Sequence, residues 1–140
     1  MIIKGLTVRD NLRLANVAEN EVTGLFPELE PLLGRRAGLL SGGEQQMLSV
    51  GRALGRSPEV LIIDELSQGL APKVTGRLLE SVRHAAEGGT AVVMVEQSVR
   101  RCLAVSDRFY FLKKGHVALE GSSTAYAGRV QELENMYIAA

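Results

Sequence analysis

The chain has 140 residues, one domain's worth, and its sixteen basic and sixteen acidic residues cancel, which removes the electrostatic case for a nucleic-acid-binding surface. Hydrophobic residues make up 46% and charged residues 23%, so a core can be buried, while the single cysteine, Cys102, excludes an internal disulfide and a cysteine metal cluster. No apolar run approaches the roughly 20 residues of a membrane helix, and the N-terminal MIIKGLTVRD lacks the apolar stretch of a signal peptide. The expectation is a soluble cytoplasmic chain that meets a membrane only through partners.

Residues 1 to 5 carry no signal. Thr7 with Asp10 three residues on predicts a capped helix, and Val8, Leu12 and Ala15 follow at helical spacing. Residues 16 to 33 read as a second helical stretch, broken near Gly24 and Pro27, with Phe26, Leu29, Leu32 and Leu33 as its packing face. Arg35 and Arg36 read as a solvated loop. Ser41 followed by Glu44 has the form of a capping box, so a helix should begin at Gly42. Each of Gly42 and Gly43 costs about 1 kcal/mol against alanine inside a helix. Glycine is useful where backbone must approach a ligand, and a helix N-terminus suits a phosphate. Met47, Val50, Gly51 and Leu54 keep the helical period, and Gly55 with Ser57-Pro58 ends it.

Val60 to Ile63 reads as a strand buried on both faces, ending in the pair Asp64-Glu65. Carboxylates at the C-terminal end of such a strand lie where open α/β sheets bind ligands. One can hold Mg²⁺ and its neighbour can position or deprotonate a water. Pro72 suits a helix first turn, Val74, Leu78, Val82 and Ala85 give the helix an apolar stripe, and Gly88-Gly89 ends it. Thr90 to Val95 reads as a second buried strand. Two strands joined by a helix make a parallel βαβ unit, which puts Glu96-Gln97 at the same sheet edge as Asp64-Glu65. Val99 to Val105 is a short helix carrying Cys102 as a packing residue. Phe109 to Leu112 and Val117 to Leu119 flank Lys113-Lys114-Gly115-His116 as a hairpin. His84 and His116 read as surface residues without a ligand partner at metal-site spacing. Residues 121 to 140 read as one or two short helices packed through Tyr126, Val130, Leu133 and Met136.

LSGGEQQ, then about one helix, then LIIDE resembles the signature and Walker B motifs of the ABC-type ATPases. LSQGLAPK over residues 66 to 73 fits the D-loop that follows, and GLAP with the later VEQ is most similar to the ATPase subunits of branched-chain amino-acid importers. The resemblance spans essentially all 140 residues and covers the C-terminal half, or slightly more, of that family's nucleotide-binding domain. It implies an α/β fold of the P-loop NTPase type: a parallel sheet flanked by helices, a small N-terminal helical subdomain and a C-terminal antiparallel hairpin. The expected divisions are residues 1–56, the helical subdomain with the signature; 57–121, the α/β core with Walker B, D-loop and switch; and 122–140, the C-terminal helices.

By the same resemblance the cofactors are ATP and Mg²⁺. Asp64 would help hold the metal and Glu65 would polarise the attacking water. Ser41, Gly42, Gly43 and Gln45 would contact the γ-phosphate side of ATP on a partner subunit, Gln68 and Gly69 belong to the D-loop, and Gln97 would sense the phosphate. The implied partners are a second ATPase subunit, in a homo- or heterodimer, and membrane-spanning permease subunits that touch the helical subdomain, whose start LTVRDNL resembles. The chain would lie peripheral to the inner face of the cell membrane. It departs from the pattern at Leu66, where the family usually has proline, and at Ala71, where many members have aspartate. A third departure is Gln97 in place of the switch histidine, since glutamine cannot carry a proton. No G-x-x-x-x-G-K-[ST] occurs in the sequence, so the loop that cradles the β- and γ-phosphates is missing and the chain is expected to be inactive alone. A sheet without its P-loop strand is expected to expose an edge and an apolar face. Two readings from other classes stand beside this one: a non-enzymatic fragment acting only with a P-loop-bearing partner, and half of a DNA-repair-type ATPase.

Overall fold

Thr7 opens the first helix as its spacing to Asp10 predicts. Its hydroxyl accepts the Asp10 backbone N–H, and α1 runs Val8–Leu14. The structure is a computed structural model that describes residues 1–138. Asn11, which the sequence reading passed over, is fully buried on α1. Its side chain accepts the Ile3 N–H at 2.8 Å and donates to the carbonyls of Ile3 at 3.0 Å and Thr7 at 2.9 Å. It thereby ties the first residues to the helix and satisfies its own buried amide.

The stretch expected to be one broken helix divides cleanly. α2 is Glu19–Leu25, and Pro27–Leu32 follows as a 3₁₀ segment. Phe26, at φ −131°, leaves helical geometry between them, and Pro27 then starts the tighter turn it favours. Phe26 and Leu29 are fully buried as expected, whereas Leu32 and Leu33 are only half-buried, so the packing face is narrower than the pattern implied.

α3 spans Gly42–Leu54 and ends at Gly55. One glycine inside it and the one that ends it are there for close packing. A Cβ at Gly51 would lie 2.5 Å from a Val22 methyl, and one at Gly55 would lie 2.3 Å from a Val17 methyl.

β1 is Val60–Asp64, α4 is Pro72–Glu87 and β2 is Ala91–Val95; the two strands pair in a parallel sheet. The pairing is led in by the Ala91 N–H on the Glu59 carbonyl at 2.8 Å and by the Thr90 hydroxyl on the Pro58 carbonyl at 2.9 Å. The expectation that both strands are buried on both faces fails. In β1, Leu61 and Ile63 face cover while Val60 and Ile62 are 58% and 74% exposed; in β2, Val93 and Val95 are exposed. Each strand alternates covered and open residues. The exposed apolar face expected of this sheet is present.

The chain divides into two compact units, Met1–Val93 and the residues from Met94 on. In the second, α5 is Val99–Val105, β3 is Arg108–Lys113, β4 is His116–Ser122, α6 is Ser123–Tyr126 and α7 is Val130–Ile138. β3 and β4 pair antiparallel around Lys114 and Gly115, at φ +49° and +82°. Two left-handed residues match the twist of the flanking strands, as in a type I′ turn. Leu103, Phe109 and Leu133 form the core of this unit, with Cys102, Tyr126, Val130 and Met136 packed against it. Burial pushes the Cys102 thiol above its ordinary range, and nearby Glu96 adds to that while a Ser106 hydrogen bond opposes it. Residues 139 and 140, the end of the expected terminal helix, lie outside the described residues.

Candidate functional site

The capping box at the start of α3 forms in full. The Ser41 hydroxyl accepts the Glu44 N–H at 3.3 Å, and the Glu44 carboxylate accepts the Ser41 N–H at 2.7 Å. That leaves the first two helical amides, Gly42 and Gly43, with no acceptor inside the helix. The two glycines differ in their surroundings. A Cβ at Gly43 would meet Val74 at 3.1 Å, so Gly43 lets α3 and α4 approach; around Gly42 there is open space.

Gly42 lines a cleft of about 430 Å³ whose other walls are Gln46, Asp64, Glu65, Leu66, Gln68, Gly69 and Leu70. Chain geometry explains the gathering. β1 delivers Asp64 at its C-terminal end, and residues 65 to 70 fold back through two left-handed residues, Glu65 at φ +48° and Gly69 at φ +70°. Within this loop Leu66 and Ser67 are buried, while Gln68 and Gly69, like Asp64 before it, are exposed. Pro72 then begins α4.

Of the residues singled out from sequence, Gly42, Asp64, Glu65, Gln68 and Gly69 come together here. Ser41 and Gly43 flank Gly42 on the chain. Gln45 faces elsewhere: its side-chain amide donates to the Leu40 carbonyl at 3.0 Å, which steadies the turn before α3. Gln46 lines the cleft instead, one helical turn beyond Gly42; spacing alone does not separate it from Gln45, since residues three and four apart share a helix face. Leu66, noted from the sequence only as a departure, and Leu70, noted only as part of the loop after the acidic pair, also line it. Gln97 belongs to the second unit and follows β2.

The donor set suits a hard divalent cation with a phosphate: two consecutive carboxylates supply oxygen ligands, and an open glycine at a helix N-terminus supplies backbone N–H groups. Among the described residues no group of three or more His, Cys, Asp and Glu forms a metal cage, so a cation here would share its shell with water or substrate. A second cleft, lined by Ala53, Arg56, Pro58, Val60 and Leu61, is mainly apolar and holds none of these groups.

No family model matches the chain. It is 36% identical over 133 residues to the high-affinity branched-chain amino acid transport ATP-binding protein BraG of Pseudomonas aeruginosa, covering 89% of this chain and 57% of that protein. The probable branched-chain amino acid transport ATP-binding protein LivF of Archaeoglobus fulgidus is 36% identical over 132 residues, 87% of this chain and 56% of its own. Among solved structures, an ATP-binding subunit of an ABC transporter superposes with a TM-score of 0.78 at 24% identity, covering 99% of this chain and 65% of its own. The cassette MJ1267 superposes with a TM-score of 0.74 at 22% identity, over 94% of this chain and 63% of its own. The fold is that of an ABC ATPase cassette, and the chain is a relative of the ABC transporter ATP-binding proteins.

The chain spans somewhat over half the length of these curated relatives. The start of α3, the acidic pair and the loop after it line the cleft. Among the described residues no helix is long and apolar enough to cross a membrane.

Proposed function

We propose that this chain is part of the ATP-binding machinery of an ABC importer, of the kind that carries branched-chain amino acids. The observation that carries this reading is the cleft in which Gly42, Asp64, Glu65, Gln68 and Gly69 meet. Asp64 helps hold Mg²⁺. Glu65 accepts a hydrogen bond from the water that attacks the γ-phosphate and orients it. The metal, when bound, neutralises charge on the β- and γ-phosphates. The amides of Gly42 and Gly43, with Ser41, cap the γ-phosphate of nucleotide held on a partner ATPase subunit. Gln97 senses that phosphate by hydrogen bonding and transfers no proton. The solute passes through permease subunits that the helical segment contacts, so the chain works at the inner face of the membrane.

The sequence has no G-x-x-x-x-G-K-[ST] loop, so we infer that the 140 residues alone are half of a hydrolytic site. Purified alone, the chain should neither bind MgATP tightly nor hydrolyse it. Binding by the chain alone, with turnover that Glu65→Gln abolishes, would mean that another segment cradles the phosphates and that the half-site reading is wrong. The exposed apolar residues Val60, Ile62 and Val93 favour a second reading, a non-enzymatic fragment stable only beside a P-loop-bearing polypeptide. Co-purification with such a polypeptide, without any gain in its turnover, would support that reading instead.

A further inference from the structure

We propose that Leu66 is a positioning residue whose burial holds Glu65 in a left-handed turn, so that both carboxylates of the acidic pair line one cleft. Along β1 the side chains alternate. Leu61 and Ile63 lie on the covered side; Val60, Ile62 and Asp64 lie on the open side. One more extended residue would put Glu65 on the covered side beside Ile63 and leave Leu66 in solvent. That arrangement buries a carboxylate and exposes an apolar side chain, both unfavourable. The chain does the opposite. Glu65 takes φ +48°, a region rarely occupied by residues other than glycine, asparagine and aspartate. The alternation is broken there: Leu66 is 1% exposed and Glu65 lines the cleft with Asp64.

The residue type at 66 is what permits this. Proline disfavours compact backbone at the residue before it and biases that residue toward extended conformations. Leucine imposes no such limit and supplies a side chain to bury. The inference rests on the reading of Glu65 as the hydrolytic carboxylate, but its test does not.

Two variants of the full chain, Glu65→Gly and Glu65→Ala, decide the backbone. At an ordinary extended or helical position glycine is the less stable of the two; at a left-handed position it is the more stable. Urea unfolding should give the glycine variant a several-fold larger folding constant than the alanine variant. An alanine variant equal to or more stable than the glycine variant would overturn the proposal. Positioning is read separately, in a Cys102→Ser background carrying Gln46→Cys and Glu65→Cys, by intramolecular cross-linking with a short bismaleimide. Adding Leu66→Met, which keeps an apolar side chain and imposes no ring, should leave the cross-linking rate unchanged. Adding Leu66→Pro should lower it several-fold in the folded fraction. Equal cross-linking in both would overturn the role of Leu66. If Glu65→Gln leaves ATP turnover intact in a complete transporter, the hydrolytic reading fails, while the order of the glycine and alanine variants is unaffected.

Discussion

Ser41 shows how much one hydroxyl does at the start of α3. It takes the Glu44 N–H and fixes where the helix begins, and so where the Gly42 amide stands at the cleft. Ser41→Ala should cost about 1 kcal/mol in urea unfolding, with no change in helix content once folded. Asn11 is the opposite case, a polar side chain fully buried with partners on each side. Asn11→Leu removes those partners and leaves the Ile3 backbone groups without them; it should cost about 1–3 kcal/mol. Cys102 reports on local burial. Its raised pKa lowers the thiolate fraction near neutrality, so it should react with a thiol reagent more slowly than a free cysteine at pH 7, the rate climbing as pH rises toward the shifted value. A rate equal to that of free cysteine would contradict its packing. The capping residues were legible in sequence because their chemistry is written in a three-residue spacing. Asn11 was not, since a polar residue on an amphipathic helix reads as solvent-facing until the N-terminal segment is seen to fold over it.

Helices show the same division between local and tertiary causes. The ends of α3 and α4 follow Ser41, Gly55, Pro72 and Gly88, which announce them. Gly42 and Gly43 had been weighed as ligand approach, and for Gly42 open space keeps that reading available. Gly51 serves packing against Val22, a contact between residues far apart in sequence. Gly51→Ala should therefore be destabilising by about 1–3 kcal/mol, the clash outweighing the gain of roughly 1 kcal/mol in helix propensity. A variant more stable than the parent in thermal unfolding would show that α2 and α3 can part without cost. The strands misled most. Four apolar residues in a row read as burial on two sides, but alternate residues of β1 and β2 are open. A run of this kind records the cover a strand is built for, and the described residues supply it on one side. The left-handed Glu65 was equally hidden. Nothing in Asp64-Glu65-Leu66 announces a turn; the demand comes from burying Leu66.

On the scale of the whole molecule, motif order and fold class were legible because the signature turn, acidic pair and later hairpin follow one another in a fixed chain order. Which side chains share the cleft was only partly legible: Gln46 lines it and Gln45 does not, and Leu66 and Leu70 join the walls. The exposed valines and isoleucine of the sheet give the molecule a patch that favours association. Ile62 is 74% exposed, so Ile62→Lys should change stability by no more than about 0.5 kcal/mol and reduce self-association in sedimentation. Loss of folding instead would mean that this side of β1 is covered in solution. The most direct measurement of the central claim, that Gly42 and its neighbours complete an ATP site supplied by another subunit, is MgATP turnover by a P-loop-bearing ABC ATPase subunit mixed with this chain. The account predicts a gain in turnover with the parent chain and none with Gly42→Asp, whose carboxylate would face the phosphate. Equal turnover with both chains would contradict it.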